Sequence, residues 1–306
     1  MTMWLAHKAQ RGFLTAFVFV LMWSSSTASG SALAGPSRSE RIISLSPGTT
    51  EWVAALGRLG DLAGRTESCD VPPEVRTLPS VGAFLEPNLA RVVALRPTLV
   101  LVTADFNPRR IAELGRQVPE IFRLDTGRLD AWMASVRQLA HRLGSQGRAE
   151  SIFGPMLQAV GGEAPTARPL RYIGFVDLRS RYVMTAATLQ GDIFESLGMR
   201  NLVDLAQPFP QVSETYLKGL SPEVVVLFAN ADAARPGRGP MDEAFAGALV
   251  PTPAEVQAIT DLWPRSAPRL IKLDGDVFLR PGPRIVQLGW HHVRERIKGI
   301  RAQEPK

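Results

Sequence analysis

Residues 89–102 read LARVVALRPTLVLV, and residues 217–228 read LKGLSPEVVVLF. Each is a short amphipathic helix, a loop ending in Pro97 or Pro222, and a β-branched run. Working outward, a second pair matches. Residues 41–57 read RIISLSPGTTEWVAALG and residues 181–198 read RYVMTAATLQGDIFESLG, each a strand, a loop, and a helix ending in Leu-Gly. Two similar α/β lobes in one chain imply a cleft between them, a preferred place for a small-molecule site. Between these anchors, helices alternate with short apolar runs, which argues a parallel sheet. The expected fold class is therefore α/β, with two similar lobes and a ligand cleft between them.

The expected organisation has four parts. Residues 1–34 read as a signal peptide: Lys8 and Arg11 form a basic n-region, residues 13–23 an apolar stretch, and Ala32-Leu33-Ala34 a small-x-small cleavage site. Maturation is expected to expose Gly35, giving a soluble periplasmic protein. Residues 35–125 form the first lobe, residues 126–165 a linking helical segment, and residues 166–306 the second lobe. In the linking segment Leu129, Trp132, Met133, Val136, Leu139, Ala140 and Leu143 fall at helical spacing. Residues 144–147 interrupt, and the period resumes to Gly161. Pro155 is expected to kink that second run, because it lacks an N–H and its ring clashes with the preceding turn. Thr49 and Thr50 are candidate caps for the first helix. Residues 59–63 and 81–82 are candidate strands, residues 229–240 a mobile surface loop, and residues 284–299 a closing helix.

Composition narrows the function. The formal charge of +6 is spread as single arginines, without a basic stripe and interleaved aromatics, so nucleic acid is not an expected partner. Cys69 is the only cysteine, which leaves no internal disulfide and is best read as a structural thiol. His291 and His292 are adjacent, point about 100° apart on a helix, and cannot chelate one ion together. No Gly-x-Ser-x-Gly, His-Glu-x-x-His, Walker A or Gly-x-Gly-x-x-Gly pattern occurs. The chain reads as a binding protein and not an enzyme, with no metal site and no cofactor beyond its ligand. Phe84 and Phe209 stand just before the two repeated helices, at equivalent places in the two lobes. They are candidate walls for a flat ligand or caps of their own cores. Asp276 and Arg280 lie in the last loop, as ligand contacts or as partners of each other.

Five blocks then carry a resemblance: RIISLSPGTTE, CDVPPE, VGAFLEPNLARVVALRPTLV, FPQVSETYLKGLSP and DGDVFLRPGPR. In that order they resemble the periplasmic vitamin B12-binding proteins and, more widely, the class III substrate-binding proteins of ABC importers for cobalamin, ferric siderophores and haem. The resemblance implies two lobes joined by one long backbone helix, with limited hinge motion. It implies a monomer that binds a metal chelate or corrinoid and delivers it to an ABC permease in the inner membrane. It places Phe84 and Phe209 where the family has cleft tryptophans, Ser68 where it has a tyrosine, and Asp276 at the acid of the last loop. Phe278 and Arg280 of that loop join the expected ligand contacts. The family's two docking glutamates fall on Ala90 and Thr215, so Glu86 and Glu214 are the expected substitutes. The alternative function is a ligand-presenting adaptor for a membrane sensor.

Overall fold

The β-branched run at residues 99–103 becomes a strand buried on both faces, Leu99–Thr103, and a sheet grows around it. The protein is described here by a computed structural model covering residues 40–162, 168–229 and 249–303. The expected signal peptide with its Gly35 start, the end of the expected linking segment at residues 163–165 and the expected loop beyond Ala229 lie outside the described residues. The first sheet contains β1 (Ile42–Ser44), β2 (Leu62–Arg65), β3 (Leu99–Thr103) and β4 (Ile121–Leu124) in the order β2-β1-β3-β4. All its pairings are parallel. The second contains β5 (Leu170–Asp177), β6 (Tyr182–Met184), β7 (Met199–Asn201), β8 (Val224–Ala229) and β9 (Arg269–Asp274). Its parallel strands run β7-β5-β8-β9, the same winding as in the first sheet.

The internal repeat is thus real at β3 and β8, but the upstream match needs correction. The counterpart of β1 is β5. The RYVM run is β6, an antiparallel strand paired to the C-terminal half of β5, where Gly174 faces Met184. The chain reverses through a turn after Asp177, and Arg181 takes a left-handed φ of 54° there. A strand so close behind β5 has no crossover helix, so only antiparallel pairing is open to it.

Alternation along the strands distributes the core. Leu99 and Leu101 of β3, with Val224, Val226 and Phe228 of β8, enter one shared cluster. Val100 and Val102 face a smaller cluster in the first lobe, and Val225 and Leu227 one in the second. Period-2 geometry requires this division between faces. The shared cluster binds the lobes through helices α4 (Leu129–Arg142) and α5 (Gln146–Gly162). The expected single backbone helix is two. Gly144, at φ +66°, ends α4: its N–H reaches the His141 carbonyl at 3.1 Å, and Ser145 N–H reaches Ala140 at 2.7 Å. Those paired bonds form a Schellman motif, which glycine accommodates without a Cβ clash. Helix α5 continues through Pro155, which removes one hydrogen bond without ending the helix.

Three further expectations change. Helix α1 (Pro47–Ala55) starts at Pro47, and Thr49 and Thr50 lie inside its first turn. Their hydroxyls donate to the Ser46 carbonyl, at 2.9 and 3.0 Å, instead of capping N–H groups. β2 starts at Leu62, after a 3₁₀ turn at Leu59–Asp61, and Gly82 forms only an isolated bridge to Pro87. The closing helix begins as a π-helical turn, Ile285–Trp290, before the regular helix His291–Ala302.

Candidate functional site

Parallel strands send all their C-terminal ends to one edge of a sheet, where ligands bind in open α/β folds. In the first lobe this edge carries the β1–α1 turn and the loop from β2 to Asp70. In the second it carries the β9 end, the short helix Gly275–Phe278 and the loop to Arg284. The two edges meet. The Nε1–H groups of Trp52 and Trp132 both donate to the Pro281 carbonyl, at 3.0 and 3.1 Å. Those indoles and Phe153 form a trio with centroids 5.5–5.6 Å apart. Gly48 lets the Pro281 backbone approach: a Cβ there would lie 3.0 Å from the Pro281 carbonyl carbon.

Beside Pro281, Arg284 grips Glu51 with two prongs, 2.9 and 2.5 Å long. Glu51 is only 4% exposed. Burial raises its carboxyl above the ordinary value, against the pull of Arg284. Glu51 in turn holds the Arg284 guanidinium firmly protonated. Gly282 is required here, because a Cβ would sit 2.5 Å from a Glu51 oxygen. Closer to solvent, Arg280 bridges the lobes, reaching Asp70 at 2.6 Å and Asp276 at 3.2 Å. Of the two readings of Asp276 and Arg280, the pairing is observed: they pair with each other, at the edge between the lobes. Asp70, Glu51, Trp52, Trp132 and Arg284 were not expected as part of this constellation. Asp70 lies two residues from Ser68, and Glu51 closes the first of the five blocks, but partners 149 to 233 residues away left no local signal.

Below the β1 end, Ser44, Thr49 and Thr50 share hydroxyl bonds of 2.7 Å. Cys69 packs nearby with Thr66 Oγ1 3.1 Å from its sulfur. Burial raises its thiol pKa, as befits a structural and unreactive thiol. Ser68 is exposed on the same loop, and Phe84 is half-buried. Phe209 is 43% exposed. Phe278 must be corrected: it is buried in the core, stacked on Phe194 at 6.1 Å and tilted against Phe228 at 5.9 Å. The Phe278 backbone carbonyl accepts from the Gln190 amide at 2.7 Å.

An open pocket of about 600 Å³ lies where α4 meets helix α6 (Leu189–Ser196), lined by Arg128, Leu129, Asp130, Met133 and Asp192. Asp192 accepts from the Leu129 N–H at 2.8 Å and pairs with Arg128 at 2.5 Å. It therefore caps α4 from the other lobe.

The two expected docking acids are both exposed, one per lobe. Glu86 pairs with Arg110, whose guanidinium also reaches the Pro87 carbonyl. Glu214 pairs with Lys218 one helical turn on, at 2.6 Å, which lowers its carboxyl pKa. Ala90 lies in the helix capped by Asn88, and Thr215 in the helix capped by Ser213. Among the described residues no group of three or more His, Cys, Asp or Glu is placed to hold a metal ion. None of the described helices is long and apolar enough to cross a membrane.

Known proteins resemble this arrangement. A vitamin B12-binding protein of Pectobacterium carotovorum is 29% identical over 255 residues, covering 81% of this chain and 84% of that protein. One from Photorhabdus laumondii is 27% identical, over 80% of this chain and 84% of its own. The crystal structure of the periplasmic vitamin B12-binding protein BtuF of Vibrio cholerae superposes with a TM-score of 0.67. It is 25% identical and covers 87% of this chain and 98% of that one. The periplasmic haem-binding protein BhuT shares the fold at a TM-score of 0.65 and 20% identity, over 84% and 97% of the two chains. The two-lobed α/β architecture is therefore that of these binding proteins. Residues 42–247 match the periplasmic binding protein family, and the chain belongs to that family.

Proposed function

We propose that this protein is the periplasmic receptor of an ABC importer and carries a corrinoid between its lobes. The observation that carries this reading is the meeting of two like-wound sheets at their C-terminal edges, with an accessible phenylalanine beside each. Phe84 and Phe209 offer apolar faces to a flat macrocycle, and the Asp70–Arg280–Asp276 chain offers polar groups to its side arms. The named relatives bind vitamin B12, and haem is the nearest competing macrocycle. The chain's own residues are proposed to bind and orient the ligand.

Export by the N-terminal 34 residues, action as a monomer, and docking through Glu86 and Glu214 complete the proposal. Titration of the purified mature protein with cyanocobalamin and, separately, with haemin tests it. Tighter binding of cyanocobalamin supports the corrinoid reading, and preference for haemin replaces it with haem. Mass spectrometry of ligand carried through purification from the periplasm gives the same answer independently. A second reading, a ligand-presenting adaptor for a membrane sensor, is favoured by one observation. Ala90 and Thr215 stand where the docking acids are expected, and the nearby acids each already hold a cation. Corrinoid-dependent growth that is lost on deleting the gene favours the importer; growth unchanged with altered corrinoid signalling favours the adaptor.

A further inference from the structure

Arginines that are scattered in sequence gather at the N-terminal edge of the second sheet, the end of that lobe away from the cleft. Arg171 of β5 and Arg200 of β7 are register partners on adjacent parallel strands. Their neighbours Leu170, Tyr172 and Met199 are buried in the shared cluster, so period-2 geometry sends both arginines to the opposite face. Like charges thus stand side by side, where they repel. Arg301 closes the group, donating to the carbonyls of Gly198 and Arg168 at 3.0 and 3.4 Å. Arg269 adjoins it. Its backbone N–H donates to the Glu223 carbonyl at 2.9 Å, and its guanidinium to the Ile300 carbonyl at 2.5 Å.

One carboxylate stands among these five guanidiniums. Glu223 accepts from Arg168, and from the backbone N–H and the Nε–H of Arg171 at 3.1 and 3.2 Å. Those contacts give four of the arginines a structural role, but carbonyls are neutral and leave their charge uncancelled. Arg200 has no such contact: it is exposed, and none of the described carboxylates pairs with it. Glu195, at the end of α6, is exposed and pairs with none of the five. Farther out the charges balance. Lys298 pairs with Glu295 at 3.1 Å, and Arg265 and Asp261 add one charge of each sign.

We infer that this arginine pole is a docking surface for a bilayer rich in anionic phospholipid, which holds the protein reversibly at the membrane face. The inference goes beyond the receptor reading: it rests on the proposed export, and it is independent of what the cleft carries. Charge complementarity carries it. A guanidinium is planar, and its paired N–H donors match the oxygens of a phosphate group. A bilayer presents many phosphates at once to a fixed group of cations. Each arginine near an anionic surface adds about fivefold to partitioning, which is what about 1 kcal/mol per basic residue corresponds to. The attraction fades within a Debye length, so the contact is sensitive to salt. Because the pole lies opposite the cleft edge, docking there leaves the cleft open.

Co-sedimentation of the mature protein with phosphatidylcholine vesicles, with and without phosphatidylglycerol, tests the inference. The parent should sediment with the phosphatidylglycerol vesicles only, and high salt should release it. Arg168→Gln, Arg200→Gln should weaken that binding about twentyfold. Arg109→Gln, Arg116→Gln, an equal loss of charge at exposed positions of the first lobe, should change it by less than about twofold. Arg200→Gln alone removes no internal contact and should still cost about fivefold, which keeps the test valid if the double variant melts early. No preference for phosphatidylglycerol overturns the inference. So do equal losses in the two double variants, which would make net charge and not the pole responsible. Release by inorganic phosphate, but not by chloride at the same ionic strength, would assign the pole to a free anion and overturn the bilayer. Cyanocobalamin titration of the same variants keeps the two readings apart: unchanged affinity leaves the receptor standing whichever way the vesicles decide.

Discussion

Acids meet cations in two kinds of place in this protein, and the contrast separates holding from contacting. At the seam, Glu51 and Arg284 are buried and pair with each other across 233 residues of sequence. At the tips, Glu86 and Glu214 are exposed and pair with neighbours on the same lobe. A buried pair has lost its water, so either partner alone is left as an uncompensated charge. An exposed pair keeps its water and contributes little to stability, which leaves it available to an outside partner. The same chemistry therefore fastens the lobes in one place and is free for encounter in the other.

The sharpest way to break this contrast is Glu51→Ala. It should lower unfolding free energy by about 3–5 kcal/mol, because Arg284 stays buried without its partner. Denaturant melts should also show the double change Glu51→Leu, Arg284→Met recovering most of that loss. Equal losses in single and double variants would mean that shape, and not charge, fastens the seam. Next in size is Gly282→Ala, which drives a Cβ into the Glu51 carboxylate. Crowding of that kind costs about 1–3 kcal/mol. Circular dichroism melts are the measurement.

Phe84→Ala and Phe209→Ala should leave the melts nearly unchanged and each weaken ligand binding by about 1 kcal/mol. Calorimetric titration reads that directly; a loss of stability instead would return these rings to the role of core caps. Acid offers an intermediate case. The Thr98 hydroxyl and Arg142 hold the Glu40 carboxyl below its ordinary value of 4.5. A depressed carboxylate contributes stability that is present above its unfolded value and lost as pH falls through its folded one. Melting temperature should therefore drop as pH descends below about 4.5, and Glu40→Gln should flatten that part of the profile. The smallest effect on stability belongs to Glu86→Ala, Glu214→Ala. Its melts and ligand titrations should match the parent, while uptake falls and, in the parent, docking weakens with added salt. Normal uptake would leave the tips without a docking role.

Much of the fold is legible in sequence because its signals are local. The fully apolar run at β3, its echo at β8, and Gly144 between two helical periods each need only a short window. The misreadings have equally physical origins. Strand β6, like β1, is a short run that follows an arginine, and pairing direction distinguishes them. Phe278 sits in a loop of charged and turn residues, yet one turn of helix directs it at Phe194 instead of outward. The Glu51–Arg284 pair and the shared Pro281 acceptor join residues 149 to 233 positions apart, and no spacing announces them. The resemblance to a known family pointed to particular loops, but which side chains of those loops face outward depended on packing.

Trp52 and Trp132 share one carbonyl and lie 5.6 Å apart at a steep interplanar angle of 63°. Two indoles so placed are electronically coupled, and both are fixed by a loop that belongs to the other lobe. Their near-ultraviolet dichroism should therefore carry a coupled signature that disappears when that loop withdraws. Trp263 and Trp290, the other tryptophans of the described chain, lie outside this arrangement and supply an internal baseline. The molecule thus contains a built-in optical gauge of lobe separation, readable without any attached label.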